Sequence, residues 1–340
     1  MNVIVLTTSY PRDERDVAGR FVAEAVEGVR ALGVHVDVVS PASFADFGIA
    51  YGGGIAQNLR AAPWKLALVP AFLAAYAHAA RSASRDADLV HAHWIPSAVA
   101  ARATGKPYVV QVWGTDVEIA RRLPALVKPL LRGARLAIAA SSFLAEEALR
   151  LGATRVEVVP SGVDLPAAPG PPEEPPHVLF AGRLSPEKGI LEFVEATEGL
   201  NRVIVGDGPL RDRVPEATGF VPPAEMGALY ERAAVVCVPS RREGYGMAAR
   251  EAMAYGRPVV AARVGGLADL GPGATLTPQG DVGALRSAIS GLLADAALRE
   301  RQGAEARATS ASFGFDAAAE RLRAAYEAAL EPRASSSSRR

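Results

Sequence analysis

The chain has 340 residues, of which 49% are hydrophobic and 22% charged, and its 37 basic and 37 acidic residues give a formal net charge of +0. This composition suits one large or two medium globular domains, and the neutral total argues against nucleic-acid binding driven by bulk charge. Cys237, the only cysteine, lies in an apolar run as a small core residue. No disulfide can therefore form within the chain, which favours a reducing cytoplasm.

The first half of the chain alternates strand and helix patterns. Residues 1–7 lack a basic leader segment and predict a first buried strand, over Val3–Thr7, rather than a signal peptide. A helix is predicted over Gly19–Leu32 and a second strand over His35–Ser40. Four further strands are predicted at Leu89–His93, Tyr108–Trp113, Leu136–Ala139 and Val156–Val159. Strands that alternate with helices predict a parallel sheet covered on both faces.

Residues 61–80 are apolar enough to raise the question of a membrane helix. Lys65, Pro70 and His78 interrupt the run, and the remaining apolar stretch is too short to span a bilayer. Two interpretations stay open: a helix packed on the first domain, and a peripheral contact with a lipid-linked acceptor at the inner membrane face.

The second half repeats the alternation after a proline-rich segment. Residues 166–176 contain six prolines and no apolar periodicity, which predicts a linker. Strands are predicted at Val178–Ala181, Arg202–Val205, Val235–Pro239 and Pro258–Ala261. An amphipathic helix is predicted over Ala317–Leu330, and residues 332–340 are predicted to be a disordered tail.

Two glutamates mark the strongest candidate site. The run Glu243-Gly-Tyr-Gly-Met-Ala-Ala-Arg-Glu251 follows a predicted strand and opens a helix that Gly256 and Pro258 close. Both carboxylates then lie near a helix N-terminus at the carboxyl end of a strand, where phosphate binds. A carboxylate also accepts hydrogen bonds from adjacent hydroxyls. The alternative is two solvated surface charges.

A second motif supplies positive charge. The run Gly182-Arg-Leu-Ser-Pro-Glu-Lys188-Gly189 follows the apolar strand at residues 177–181 and leads into a predicted helix over Ile190–Gly199. Arg183, as a planar fork, and Lys188, as a mobile point charge, can neutralise a diphosphate. Glutamates and cations together therefore favour a nucleotide-sugar site over surface charge.

These two motifs together resemble the glycosyltransferase family 4 group, retaining enzymes of the GT-B fold. Further runs in the family's order are Ser141–Phe143, Val158–Asp164, Val205–Leu210, Thr218–Val221 and Gly256–Gly266. The resemblance implies an α/β protein with two Rossmann-like domains whose parallel sheets face each other across a cleft. Residues 1–165 would form the acceptor domain, joined by a returning helix at 315–331, and residues 177–314 the donor domain.

The resemblance also implies roles for the donor-site residues. Glu243, Arg183 and Lys188 would be catalytic, with the two cations on the diphosphate and Glu243 on hydroxyls of the transferred sugar. Glu251 would hold the ribose diol. The remaining donor-binding positions are the backbone turns at Gly182, Gly244, Tyr245, Gly246 and Met247, together with Phe220 and Val221 beside the base. A plain hydrophobic turn is the alternative for Phe220 and Val221.

In the first domain the match to the family is looser. Gly19 corresponds to a glycine near the phosphates, and Arg20 is a candidate additional cation. Trp113 stands where many relatives carry a histidine, three residues before the retained Asp116, for which acceptor binding and helix capping both stay open.

His91 and His93 end a predicted strand in the same domain. No third ligand is indicated, so a metal site is not expected. Contact of His93 with acceptor or sugar and a simple hydrogen-bonded strand end remain the alternatives.

The resemblance implies a transferase that moves a sugar from a nucleotide-diphosphate sugar, UDP favoured over GDP, to a hydroxyl acceptor. No metal or cofactor is expected, because the cationic pair can offset the leaving-group charge. A phosphate oxygen would take the acceptor's proton, without a protein nucleophile. A nicotinamide-dependent oxidoreductase is disfavoured, since Thr8–Pro11 follows strand one where a Gly-x-Gly-x-x-Gly turn would stand. A non-catalytic nucleotide-sugar binder of the same fold stays open.

Overall fold

The structure, a computed structural model, describes residues 1–13, 16, 18–51 and 54–332. It divides into two compact units. The first comprises Met1–Ala139, Ala145–Val159 and the chain from Ala319 onward, and the second comprises Ala140–Leu144 and Pro160–Ala318. The boundary expected at residue 165 and the expected linker at 166–176 therefore fall inside the second unit. The predicted tail, past residue 332, lies outside the described residues.

The first unit is built on a parallel sheet. Its strands are β1 (Asn2–Leu6), β2 (His35–Val39), β3 (Leu89–His93), β4 (Tyr108–Val112), β5 (Leu136–Ala139) and β6 (Val156–Val158). They lie in the order β2-β1-β3-β4-β5-β6. Every strand predicted in this half is present within one or two residues, because β-branched runs buried on both faces favour strands.

Helices connect these strands. They are α1 (Arg20–Ala31), α2 (Ile55–Ala61), α3 (Val69–Ala83), α4 (Ser97–Ala103), α5 (Gly114–Ala120), α6 (Pro124–Gly133) and α7 (Ser142–Arg150). Helix α1 shows why the pattern works: its buried Val22, Val26 and Val29 repeat at helical spacing on one face.

The apolar segment at 61–80 divides into a 3₁₀ helix over Pro63–Leu68 and the first part of α3. Helix α3 buries Phe72, Tyr76 and Ala80, so this part packs on the first unit as one interpretation expected. Trp64 and Leu66 are 68% and 59% exposed. Within the described ranges, no helix combines the length and apolar character that crossing a bilayer needs.

The second unit repeats the architecture with a smaller parallel sheet. Its strands are β7 (Val178–Ala181), β8 (Arg202–Val205), β9 (Val235–Val238), β10 (Val259–Ala262) and β11 (Ala274–Thr277), in the order β11-β10-β9-β7-β8. The sequence did not predict β11. The helices that follow are α8 (Ile190–Ala196), α9 (Pro223–Arg232), α10 (Met247–Ala254), α11 (Val282–Ala294), α12 (Ala296–Ser310) and α13 (Phe315–Leu330).

Helix α13 ends in the core of the first unit. Its Leu322, Ala325, Tyr326 and Ala329 are buried in the hydrophobic cluster that contains strand β1 and helix α1. The last helix of the chain therefore completes the core of the unit that begins the chain.

Both sheets have the same topology, which determines where each can bind a ligand. In each unit the first strand lies between the second and the third, so the connections leaving the first and third strands diverge to opposite sides. Open parallel sheets bind ligands at this switch point, beyond the carboxyl ends of the strands. In the first unit it lies between β1 and β3, and in the second between β7 and β9.

Candidate functional site

The switch point of the second unit brings the two charged motifs together. Strands β7 and β9 are paired neighbours, so the loops that leave them lie side by side. The loop after β7 contains Gly182 and Arg183, then a 3₁₀ helix over Pro186–Lys188 before α8. The loop after β9 contains Glu243 and leads to α10. Lys188 and Glu243, which are 55 residues apart in the sequence, are thus brought into direct contact.

Lys188 and Glu243 form an ion pair across these loops. The Lys188 Nζ lies 2.7 Å from Glu243 Oε2, and the Ser240 hydroxyl donates to the same oxygen at 3.3 Å. The side chains are 33% and 14% exposed, so both remain accessible. An ammonium has three donors and can bind a second anion without leaving the carboxylate.

Arg183 and Glu251, the other charged residues expected in this site, differ in their partners. Arg183 is exposed, and among the described residues its guanidinium forms no hydrogen bond or ion pair, although its charge helps to lower the pKa of the nearby Glu187 carboxyl. Glu251, on α10, accepts a hydrogen bond from the buried Tyr230 hydroxyl at 2.7 Å through Oε2. Burial raises the pKa of the Glu251 carboxyl. The tyrosine fixes one carboxylate oxygen and leaves Oε1 for a ligand.

Glycines let the backbone of the second motif turn tightly. Gly246 caps α10 with φ +89°, a left-handed conformation that favours glycine. A Cβ at Gly265 would lie 1.9 Å from the Glu243 carbonyl oxygen, so only glycine fits there. The Gly266 N–H donates to that carbonyl at 3.1 Å. The Gly265–Gly266 run therefore supports the turn that presents Glu243.

The other expected donor residues differ in their exposure and partners. Met247 begins α10, where first-turn N–H groups are open to an anion. Tyr245 is buried and donates its hydroxyl to the Ser161 carbonyl at 2.7 Å, and the Ser141 hydroxyl donates to the Gly244 carbonyl at 2.7 Å. Phe220 is 65% exposed, whereas the neighbouring Val221 packs partly on the core.

Sequence reasoning did not identify Tyr230, Ser141 or Arg250 as part of this site. Tyr230 lies in α9 among ordinary helix residues, and Ser141 precedes α7. Arg250 stands within the Glu243–Glu251 motif, so its position was the one available indication. Pattern alone gives no sign that a tyrosine or an arginine faces inward.

In the first unit, Gly19 and Arg20 lie at the start of α1. Gly19 has φ +70°, and a Cβ there would lie 2.1 Å from the Ser9 carbonyl oxygen. The Arg20 Nε lies 3.3 Å from Glu24 Oε1 on the next turn, and both side chains are substantially exposed. Arg20 is thus engaged in a surface pair on its own helix.

His91 and His93 are buried on one face of β3. Their ring centroids lie 4.2 Å apart, and His91 Nδ1 lies 2.7 Å from the Tyr326 hydroxyl of α13. Burial lowers the pKa of His91 to about 3 and places the pKa of His93 well below its ordinary value. No cluster of three potential metal-ligating side chains occurs in the described part of the chain.

Asp116 caps a helix. Its carboxylate accepts hydrogen bonds from the backbone N–H groups of Ile95 at 2.9 Å, Trp113 at 2.8 Å and Val117 at 3.0 Å. The side chain is buried, and burial raises its pKa to about 7. Both oxygens accept hydrogen bonds from the backbone, which supports the capping interpretation, and acceptor binding by Asp116 stays a prediction.

Aromatic rings surround the position where relatives carry a histidine. The Trp113 ring packs 4.6 Å from Phe21 and nearly parallel to His93 at 6.3 Å, measured between centroids. The neighbouring Trp94 has φ +65°, a strained conformation for a bulky side chain. The first switch point is thus aromatic where the second is charged.

Family models match both halves of the chain. The model described as Glycosyltransferase Family 4 matches residues 18–166, and the model described as Glycosyl transferases group 1 matches residues 175–295. A D-inositol 3-phosphate glycosyltransferase of Xylanimonas cellulosilytica is 34% identical over 304 residues, covering 72% of this chain and 73% of that protein. A putative teichuronic acid biosynthesis glycosyltransferase of Bacillus subtilis is 28% identical, covering 79% and 83%.

Solved structures show the same fold at low sequence identity. Sucrose-phosphate synthase from Thermosynechococcus elongatus has a TM-score of 0.79 at 21% identity, covering 96% of this chain and 98% of that one. Anabaena HepE, solved in complex with UDP-glucose, has a TM-score of 0.72 at 18% identity, covering 96% and 99%. The two parallel-sheet units thus define a protein of the GT-B class.

The chain belongs to the glycosyltransferase family 4, group 1 enzymes. The fold and family expected from its motifs are confirmed, and it is a glycosyltransferase. The roles of individual residues remain predictions.

Proposed function

We propose that the protein transfers a sugar, with retention, from a nucleotide-diphosphate sugar to a hydroxyl acceptor without a metal ion. UDP is favoured over GDP as the nucleotide. The observation that carries this proposal is the 2.7 Å contact between Lys188 and Glu243, with the exposed Arg183 in the same loop as Lys188. In a nucleotide sugar the transferred sugar is bonded directly to the diphosphate. Residues that bind these two parts must therefore be neighbours, as Lys188 and Glu243 are.

The proposal assigns each group a task from its contacts. Arg183 and Lys188 neutralise the diphosphate, whose charge grows as the glycosidic bond breaks. Glu243 accepts hydrogen bonds from the sugar, and Glu251, with one oxygen held by Tyr230, accepts from the ribose. The N-terminus of α10 adds backbone donors. The departing phosphate oxygen takes the acceptor proton, so the scheme needs no protein nucleophile.

The preference for UDP draws support from a relative of the same fold. Anabaena HepE has been solved with UDP and with UDP-glucose. A thermal-shift screen of UDP- and GDP-sugars tests the choice, because a ligand at 100 times its dissociation constant stabilises the folded state by about 2.7 kcal/mol. Stabilisation by GDP-sugars alone would reverse the preference.

Transfer or hydrolysis of the selected donor then separates an enzyme from a binder. We expect cleavage of the donor sugar with a panel of hydroxyl acceptors, and unchanged rates in EDTA. Binding without cleavage under every acceptor would support a non-catalytic protein. Complete loss in EDTA, restored by Mg²⁺ or Mn²⁺, would overturn metal independence while leaving the transferase in place.

We also propose that the exposed Trp64 and Leu66 make a peripheral contact with a lipid-linked acceptor. Aromatic and aliphatic side chains on a short surface helix insert into the boundary of a bilayer. Co-sedimentation with anionic lipid vesicles should fall in a Trp64→Ser, Leu66→Ser double variant. Equal sedimentation of variant and wild type, or none by either, would remove this proposal.

A further inference from the structure

Arg250 is a buried cation next to the Glu243–Met247 turn of the proposed donor site. It lies in α10, directly before Glu251, and is 4% exposed. The predicted roles of the motif use its glutamates, glycines and backbone, and leave this arginine without a task. A buried charge without a counter-ion is costly, so its surroundings call for an explanation.

The guanidinium joins two segments of backbone. It donates through Nη1 to the Tyr245 carbonyl and through Nη2 to the Gly266 carbonyl at 3.2 Å. It also stacks 3.8 Å from the centroid of the Tyr245 ring and 5.7 Å from that of Phe313. Those carbonyls belong to the turn after Glu243 and to the glycine pair that supports it. Arg250 therefore holds the backbone that presents Glu243.

No carboxylate in the described chain contacts the Arg250 guanidinium directly, although Asp269 and Glu243 lie close enough to interact with its charge. Within the described residues, no acidic oxygen lies within ion-pair distance of its guanidinium, whereas Lys188, Arg202 and Arg232 all have one. Burial lowers the pKa of Arg250, although an arginine stays protonated at neutral pH. Carbonyl dipoles and aromatic faces compensate a cation only in part. Asp269 and Glu243 offset part of the remaining charge without contacting it, so Arg250 can still interact with an anion at the N-terminus of its own helix.

We propose that Arg250 is a positioning residue of the donor site, which clamps the Glu243–Met247 turn and supplies a buried positive charge to the bound diphosphate. This inference rests on the proposed function. Arg250 acts through the backbone and through its field, without touching the ligand. A purely structural arginine would instead lose as much UDP affinity in Arg250→Lys as in Arg250→Gln, because both variants break the clamp and only the first keeps the charge.

The test compares a nucleoside diphosphate with its own nucleoside, which lacks the phosphates. Calorimetric titrations with UDP and with uridine would use wild type, Arg250→Gln, Arg250→Lys and, as a control, Arg307→Gln. Arg307 also donates to two backbone carbonyls, those of Ala254 and Pro166, at the far end of α10. Glutamine keeps an amide donor and removes the charge, whereas lysine keeps the charge and cannot span both carbonyls.

For Arg250→Gln we expect UDP affinity to fall at least about tenfold, the effect of removing a unit charge roughly 10 Å away at an effective dielectric constant of about 20. Uridine affinity should change by less than about twofold, and Arg307→Gln should keep both affinities. Equal losses for UDP and uridine, or a wild-type UDP affinity, would overturn the charge role. If wild type itself binds no nucleoside diphosphate, the proposed function fails instead.

Arg250→Lys tests the clamp. It also tests the role of the charge if Arg250→Gln does not fold. The ratio of UDP to uridine affinity should stay at the wild-type value because the charge remains. The rate of donor cleavage should fall by about tenfold, since one carbonyl of the turn loses its donor. A wild-type rate would show that the clamp is dispensable, and a collapsed affinity ratio would contradict the charge role.

Discussion

The two switch points share one sheet topology and differ in chemistry. In the second unit, two charged groups of the site are fixed by identified partners: Lys188 by Glu243, and Glu251 by Tyr230. In the first unit the polar groups are buried, and His93 Nδ1 and Trp113 Nε1 have no hydrogen-bond partner in the described part of the chain. One site is organised for charge, and the other is enclosed by aromatic rings.

The difference between the two sites shows which kind of binding site can be predicted from sequence motifs. A diphosphate and a ribose require the same few groups whatever sugar is attached, so glycines, cations and carboxylates recur at fixed spacing. An acceptor has no such common part, and an aromatic surface contains no motif that identifies its ligand. These contacts indicate that the second site depends on rigid backbone support and that the first unit depends on burial. Substitutions in the two units should therefore have different effects.

The largest effect should come from the backbone support of the charged site. Gly265→Ala would place a Cβ 1.9 Å from the Glu243 carbonyl oxygen, so the turn must move. We expect a loss of about 3 kcal/mol in the free energy of unfolding and no measurable donor binding. Chemical denaturation and calorimetry measure both.

Gly291→Ala is the matched control, because nothing lies within 4 Å of a Cβ there and the residue is inside α11. It should gain about 0.5–1 kcal/mol through helix propensity and keep donor binding. If Gly265→Ala is as stable and active as Gly291→Ala, the glycine pair does not support the turn.

Removing the lysine should affect the reaction more than the binding. Lys188→Ala removes a charge that interacts most strongly with the diphosphate as it departs. The activation free energy of donor cleavage should therefore rise by about 3 kcal/mol, which lowers kcat roughly a hundredfold. The donor KM should rise by less than that factor. Lys106→Ala removes an ammonium that donates to the Arg85 carbonyl at 2.8 Å; it is the control and should leave both constants unchanged. An effect confined to KM would assign Lys188 to ground-state binding alone.

Acid should destabilise the first unit because its histidines are buried. The pKa values of His91 and His93 are lowered on folding. The contribution of these histidines to the free energy of unfolding is therefore complete above the unfolded pKa near 6.5 and is lost as pH falls. Asp116, whose pKa is raised to about 7, acts in the opposite direction between roughly pH 4 and 7. On unfolding in this range, the two histidines take up two protons and Asp116 releases one, so unfolding takes up a net of one proton.

The free energy of unfolding should therefore fall by up to about 1.4 kcal/mol per pH unit between roughly pH 6 and 4. In His91→Phe the histidine and aspartate terms should nearly cancel, and the curve should flatten. Denaturant titrations across this range measure the slope. An equally steep fall in the variant would show that His91 does not control acid stability.

The sequence predicted the fold well where its pattern is repetitive. Strands such as Val178–Ala181 are continuous apolar runs, and helix α1 has a regular buried stripe, so both are specified locally. Strand β11, Ala274–Thr277, was missed because its side chains are mostly half-buried and its composition resembles a loop. The unit boundary was misplaced because prolines at 166–176 indicate an extended chain and not where the contacts divide.

The candidate site was predictable to the level of motifs and no further. Spacing indicated that Lys188 and Glu243 each follow a strand, but their direct contact depends on the pairing of β7 with β9. Tyr230 and Arg250 support the glutamates from inside the unit, and the direction in which a side chain faces depends on tertiary packing. For Asp116 the sequence left helix capping and acceptor binding open, and the hydrogen bonds that its carboxylate accepts from backbone N–H groups support capping.

In the proposed donor site, Glu243 binds the sugar and Glu251 binds the ribose. Calorimetric titration of Glu243→Ala and Glu251→Ala with free UDP and with the intact donor selected by the thermal-shift screen tests this assignment most directly. Glu251→Ala should weaken both ligands by the same factor, about tenfold for a hydrogen bond to a charged group. Glu243→Ala should weaken only the intact donor and bind free UDP at least as tightly as wild type, because it releases Lys188 to the diphosphate. Equal loss of free-UDP affinity in both variants would contradict the account.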